Sequence, residues 1–170
     1  QEDVANMAER SIKLNNLEEK FRIINSNINE IFSKKLLEKN VFDVVVMNPP
    51  YKEVGTGEIN ESEKKLISRH EIKANLSDFI KTASGLLKDK GELYIVHKPE
   101  RMPDIIQKLR ENKIEPKELR VVYSNKNSEA SLILIKAVKG GKKFLKIDRP
   151  LYIYNESGKY SDEIKQIYNV

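Results

Sequence analysis

Val4, Met7, Ala8, Ile12 and Leu14 fall at helical spacing within Glu2 to Leu17, and the stretch runs out at Asn15-Asn16, which predicts an amphipathic helix. Two β-branched, apolar runs follow. Phe21 to Asn25 is short and bounded by polar residues, whereas Val41 to Met47 is nearly continuous, the pattern of a strand buried on both faces. Ile28 to Leu37 offers one short helix between them. Further on, a helix is predicted from about Leu76 to Leu87, capped by Asn75 or Ser77 and followed by Gly91, and Glu92 to Val96 reads as another buried strand. The rhythm then repeats, with a helix from about Glu100 to Asn112 and strands near Leu119 to Tyr123 and at Ala130 to Val138. Leu151 to Tyr154 offers a short strand, and Tyr160 to Tyr168 a last helix.

Strands separated by single helices at this spacing imply right-handed crossovers and an α/β fold with a mostly parallel, doubly wound sheet. The link Ser124 to Glu129 is too short for a helix, so the strands it joins should form an antiparallel hairpin at one edge of that sheet. Lys52 to Lys65 is polar, carries Gly55 and Gly57 and shows no strand pattern, which predicts a long surface loop, and loops of that length in compact domains are often functional. The length of 170 residues suits one ordinary domain, with no internal repeat.

Composition narrows the chemistry. The absence of cysteine excludes disulfides, thiolate zinc sites and a cysteine nucleophile, and fits a reducing cytoplasm. With two histidines, His70 and His97, no metal site is expected. No apolar run has the roughly 18 to 20 residues that cross a bilayer, so no membrane is expected. Lysine and arginine outnumber aspartate and glutamate by 31 to 26, a formal charge of +5. That bias suits phosphate-bearing partners, although a solvated surface is the commoner reason for such a charge.

The clearest chemical signal is Asn48-Pro49-Pro50-Tyr51, directly after the strand ending at Met47, because open parallel sheets bind ligands at the carboxyl ends of their strands. The prolines fix φ and hold the residues before them extended. An exocyclic amine on a heteroaromatic ring is a poor nucleophile because its lone pair is delocalised. A catalyst for such a group needs acceptors for both N–H groups, and the Asn48 side-chain oxygen and the Pro49 carbonyl suit that role. Tyr51 offers a face on which an extruded base can stack. The plainer reading is that Pro-Pro ends the strand and Tyr51 packs at its edge.

Asn-Pro-Pro-Tyr after a buried strand resembles the motif of amino-methyltransferases on the Rossmann-like S-adenosylmethionine fold. With Tyr51 through Gly57, Arg69-His70-Glu71, His97-Lys98-Pro99-Glu100-Arg101 and Glu115-Pro116-Lys117, the chain resembles, over nearly its whole length, the bacterial family that methylates adenine in a valine transfer RNA near the anticodon. The resemblance implies S-adenosylmethionine as cofactor, transfer RNA as partner, and Asn48, Pro49, Pro50 and Tyr51 as the catalytic strip. It also implies that Asn27 and Ile28, with Asn48, meet the cofactor. Aspartate is usual at the Asn27 position, and Asn27 serves equally well as a cap for the helix after it. The family's first strand, its glycine-rich turn and an acidic ribose-binding residue are not found here, so residues 1–170 read as the C-terminal portion of a single methyltransferase domain, expected to fold poorly and bind cofactor weakly in isolation.

Arg69, His70, His97, Lys98 and Arg101 are placed by this reading along the same rim as Tyr51, where they would meet RNA phosphates. For His70, helix capping or simple solvation fits as well. Lys136, Lys139, Lys142, Lys143, Lys146 and Arg149 crowd a region with Gly140-Gly141, either a solvated turn or a second basic contact for RNA. Tyr152, Tyr154, Tyr160 and Tyr168 read as packing residues. The same strip serves methylation of a release-factor glutamine or a DNA base, and a catalytically silent RNA-binding module stands as the non-enzymatic alternative.

Overall fold

A computed structural model describes residues 2–51 and 74–169. Along the chain run α1 (Glu2–Leu14), β1 (Phe42–Met47), α2 (Leu76–Leu86), β2 (Leu87–His97), α3 (Met102–Glu111), β3 (Ile114–Tyr123), β4 (Ala130–Lys139), β5 (Lys146–Ile147), β6 (Leu151–Tyr152) and α4 (Asp162–Tyr168). The sheet has the order β1-β2-β4-β3-β5, with β6 also on β3. β1 runs parallel to β2, and β5 and β6 run parallel to β3. Only β4, antiparallel to both β2 and β3, opposes the common direction. The carboxyl ends of β1, β2, β3 and β6 therefore share one rim. The predicted hairpin is present, but it lies one place in from the end of the sheet, because β5 and β6 add to the outer side of β3.

Sequence explains the packing. Alternation along β4 sends Ile133, Ile135 and Ala137 to one face, where they meet Leu93, Ile95 and Leu119 beneath Ile80 and Ala83 of α2 and Ile105 and Leu109 of α3. The opposite face holds a smaller cluster, in which Ile164 of α4 covers Val122 and Leu151. The helices have the ends their sequences predict. Asn75 caps α2 by accepting from the Asp78 amide at 3.1 Å while the Asp78 carboxylate accepts from the Asn75 amide at 2.9 Å. Ser161 caps α4, and Pro103 occupies the first turn of α3.

Four elements differ from expectation. Phe21 to Asn25 is not a strand, since no neighbouring strand among the described residues offers it a ladder. Ile28 to Leu37 yields only a 3-10 turn at Ile28–Glu30 followed by turns, with Lys35 in the left-handed region at φ 53° interrupting any longer helix. β1 is not buried on both faces: it is an edge strand among the described residues, and Val44 and Val46 are 48% and 72% exposed. Gly91 does not end α2 but lies within β2, where an added Cβ would stand 3.2 Å from the Asp43 carbonyl oxygen and 3.0 Å from that of Lys88.

Candidate active site

The strip Asn48 to Tyr51 leaves the carboxyl end of β1, next to the carboxyl end of β2, where Met47 is paired with Ile95 and the chain continues to His97. Pro49 is fully buried, which anchors the turn, while Asn48 and Pro50 are exposed and Tyr51 is half-buried. The Asn48 side chain makes no hydrogen bond among the described residues, so its amide stands ready for a ligand on the rim. Tyr51 is held from the β2 side. Its ring meets the His97 imidazole edge-on, with centroids 5.1 Å apart and planes at 63°, and the Lys98 ammonium lies 5.8 Å from its centroid. Lys98 is in turn steered by the Ser131 carbonyl at 3.4 Å, a contact with β4 that sequence reasoning did not include.

His97 is fully buried, and this corrects its expected role: with no exposed surface it braces Tyr51 and does not reach a phosphate in this arrangement. The Lys98 amide donates to Nδ1 at 2.8 Å, which fits a neutral ring with its proton on Nε2, and Nε2 is buried without a hydrogen-bond partner. Burial is the leading cause that pushes the imidazole below its ordinary value, while the Pro50 carbonyl and Glu100 pull the other way. The Pro50 carbonyl does so without reaching hydrogen-bond geometry with Nε2.

The other expected site residues divide. Lys98 lies beside Tyr51, and Arg101 follows it on the same turn after β2, with its guanidinium Nε 2.8 Å from the Asp104 carboxylate. Arg69 and His70, like the loop from Lys52 to Lys65, fall outside the described residues. Asn27 caps the 3-10 turn, its side-chain oxygen accepting from the Asn29 amide at 3.0 Å, and the Ile28 carbonyl accepts from the Thr82 hydroxyl at 3.4 Å. No hydrogen bond joins either to the strip among the described residues. The capping oxygen of Asn27 is occupied, and its amide nitrogen makes no hydrogen bond among the described residues.

The lysine-rich region is elsewhere. β4 runs against the other strands, so Lys139 and the turn after it lie at the opposite end of the sheet from Asn48. Several of these cations are engaged in structure: Lys139 donates to the carbonyls of Ser84 and Leu87 and to the Asn40 side chain, Lys136 pairs with Glu92 at 2.8 Å, and Lys146 with Asp148 at 2.6 Å. The turn after Lys139 therefore lies away from the rim that carries the strip.

A mostly parallel sheet with helices on both faces and Asn-Pro-Pro-Tyr at the rim defines a methyltransferase of the Rossmann-like, S-adenosylmethionine-dependent class. Residues 2–130 match the model of the Eco57I restriction-modification methylase family, and the chain belongs to that family. Among solved structures it is similar to a predicted O-methyltransferase from Agrobacterium tumefaciens, at 20% identity and TM-score 0.76, covering 99% of this chain and 74% of that one. It is also similar to the modification subunit of a proposed type I restriction enzyme from Vibrio vulnificus, at 12% identity and TM-score 0.50, covering 94% of this chain and 36% of that one. No curated protein matches the chain. These likenesses concern the fold, and the family is established by the matched residues.

Proposed function

We propose that the site methylates the exocyclic amine of adenine in RNA, with transfer RNA near the anticodon as its substrate. The observation that carries this reading is the arrangement at the strip: an exposed Asn48 amide, a buried Pro49 and a Tyr51 ring braced from behind by His97 and Lys98. S-adenosylmethionine, when bound, supplies an electrophilic methyl carbon with a neutral thioether as leaving group. The chain does the rest. The Asn48 side-chain oxygen and the Pro49 carbonyl accept the two N–H groups of the target amine and favour its pyramidal form, which returns the lone pair to nitrogen. Tyr51 stacks on the extruded ring and fixes its plane, a contact worth about 1 to 3 kcal/mol. The nitrogen gains the methyl carbon and becomes cationic, and its surplus proton passes to solvent, so no strong base is needed. Asn27 and Ile28 are the residues assigned to the cofactor's adenine, and Lys98, Arg101, Arg69 and His70 to RNA phosphates. The RNA assignment rests on the sequence resemblance and on the position of Lys98 beside Tyr51, with Arg101 on the same turn.

A second reading, adenine methylation in DNA, is favoured by the description of the family to which residues 2–130 match. One experiment separates them: methyl transfer by the full-length protein from labelled S-adenosylmethionine to bacterial transfer RNA and, in parallel, to DNA, followed by nucleoside analysis. Labelled methyladenosine from RNA, reduced about 100- to 1000-fold by Asn48→Ala, is the expected result. Label in DNA alone transfers the reading to the second substrate, and label that survives Asn48→Ala in full removes the strip from the chemistry.

A further inference from the structure

The rim carries a second feature, well away from Tyr51. An open cleft of about 580 Å3 lies where the β3–β4 link faces the turn after β6, lined by Asn125, Lys126, Asn127, Tyr154, Asn155 and Glu156 among others. Both walls belong to the carboxyl ends of strands that point the same way as β1 and β2. Four strand spacings of about 4.8 Å separate β1 from β6, so the cleft lies roughly 19 Å along the rim from the strip, about five to six stacked nucleotides at a rise of about 3.4 Å.

The walls are fixed to each other. Tyr154 donates its backbone amide to the Ser124 carbonyl at 2.8 Å and Ile153 donates to that of Tyr123 at 2.9 Å. The Lys126 ammonium and Glu156 carboxylate pair across the cleft at 2.9 Å. Tyr160 stacks on Tyr154 with centroids 5.5 Å apart and planes within 11°, and it does not line the cleft, so it backs the Tyr154 ring and leaves the opposite face to the cavity. Tyr154 is nevertheless 40% exposed. The Asn125 and Asn155 side-chain oxygens are engaged by backbone amides of their own turns, at 2.9 Å to Asn127 and 3.1 Å to Ser157 and Lys159, which orients each amide and leaves its NH2 without a partner among the described residues.

Such a site offers a braced aromatic face and oriented amide donors, with its one lysine already neutralised by a glutamate. A phosphate gains little there, because Glu156 opposes it. A flat, neutral ring carrying hydrogen-bond acceptors gains both stacking and hydrogen bonds. We infer that this cleft holds one unpaired base of the RNA strand several nucleotides from the target adenine, stacked on Tyr154 and read by Asn125 and Asn155. The inference rests on the RNA reading of the strip and names a second point at which the same strand is held.

The test uses single-stranded RNAs in which a fluorescent adenine analogue is moved one position at a time away from the target, titrated with the full chain. Fluorescence is expected to be quenched most at one position about five to six nucleotides away. Tyr154→Leu should abolish that quenching, weaken binding about 5- to 150-fold and raise KM with little change in kcat, and the size of the loss should be the same at low and high salt. Tyr154→Phe keeps the ring and should retain quenching, which separates lost stacking from a damaged fold. Unchanged quenching and affinity in Tyr154→Leu overturn the inference. Quenching by a full-length protein that binds S-adenosylmethionine but transfers no methyl group to RNA overturns the reading of the strip and leaves the cleft standing.

Discussion

The residues before the Pro-Pro turn and the body formed by β2, β3, β4, α2 and α3 have similar apolar content but different use of it. In the body, Ile80, Leu87, Leu93, Ile105, Leu109 and Ile114 have no exposed surface. Before the turn, α1 buries none of its residues, and Val4, Met7, Leu14 and Phe21 are 53%, 56%, 83% and 57% exposed. The difference lies in what faces each segment. β4 is paired on both sides and covered on both faces, whereas among the described residues β1 is paired only with β2. An apolar pattern thus predicts an element, and only its neighbours decide whether the pattern becomes a core. The strip from Asn48 to Tyr51 leaves the sheet where the two regions meet, so it draws rigidity from β2 through His97 and Lys98.

The largest contrast should appear in amide hydrogen exchange. A helix of 13 residues with none of them buried is marginal in water, so α1 amides should exchange close to the rate of an isolated helix. Amides of β4 should be protected on the order of 1000-fold or more beyond that, up to the global stability. Comparable protection in α1 and β4 would show that α1 is packed, against the contrast drawn here.

Truncation gives the next effect. Leu93→Ala or Ile105→Ala removes a fully buried side chain and should cost about 2 to 5 kcal/mol in denaturant unfolding. Val46→Ala, on the exposed side of β1, should stay within about 0.5 kcal/mol. Equal losses at both sites would erase the distinction between the regions.

A smaller change probes the seam itself. A Cβ added at Gly85 in α2 would stand 2.7 and 2.8 Å from two ring carbons of Phe32. Overpacking costs about 1 to 3 kcal/mol, and better helix propensity returns up to about 1, so Gly85→Ala should destabilise by about 1 to 2 kcal/mol. Adding Phe32→Leu should recover part of that loss, a coupling readable in a double-mutant cycle. Full additivity of the two would mean that Phe32 does not pack on α2.

How much of this could be read in advance follows the same division. The body was legible because its strands and helices carry clean periods and caps, down to Asn75 on α2. The strip was legible because proline leaves few conformations. Phe21 to Asn25 misled because β propensity describes a fit to a neighbouring ladder, and none is there among the described residues. Val41 to Met47 misled for a related reason, since a continuous apolar run reports what the strand tolerates, not what covers it. His97 was placed beside Tyr51 correctly by strand position, but its burial follows from the register of His97 against Ile133 on β4, which sequence does not print. The cleft at Tyr154 escaped because it joins residues about 30 positions apart, and its sequence trace, asparagines in two turns with an intervening tyrosine pair, reads as packing.

His97 provides the smallest and most specific test. Its folded value lies below the ordinary one near 6.5, so in acid the unfolded chain takes up the proton more readily than the folded one. Its contribution is therefore fully present above about pH 6.5 and is lost as pH falls below that, at no more than about 1.4 kcal/mol per pH unit. Glu92, Glu111 and Glu156, held below the ordinary carboxylate value of 4.5 chiefly by hydrogen bonds from Lys136, Lys108 and Lys126, lose theirs at and below that value, a separate window. Melting measured from pH 7 to 5 should thus show a decline in wild type that is flattened in His97→Gln. Because His97 braces Tyr51, methyl transfer should weaken over the same interval in wild type and show a flatter profile in the variant. An identical acid decline in both proteins would assign the titration to another group and leave His97 as packing alone.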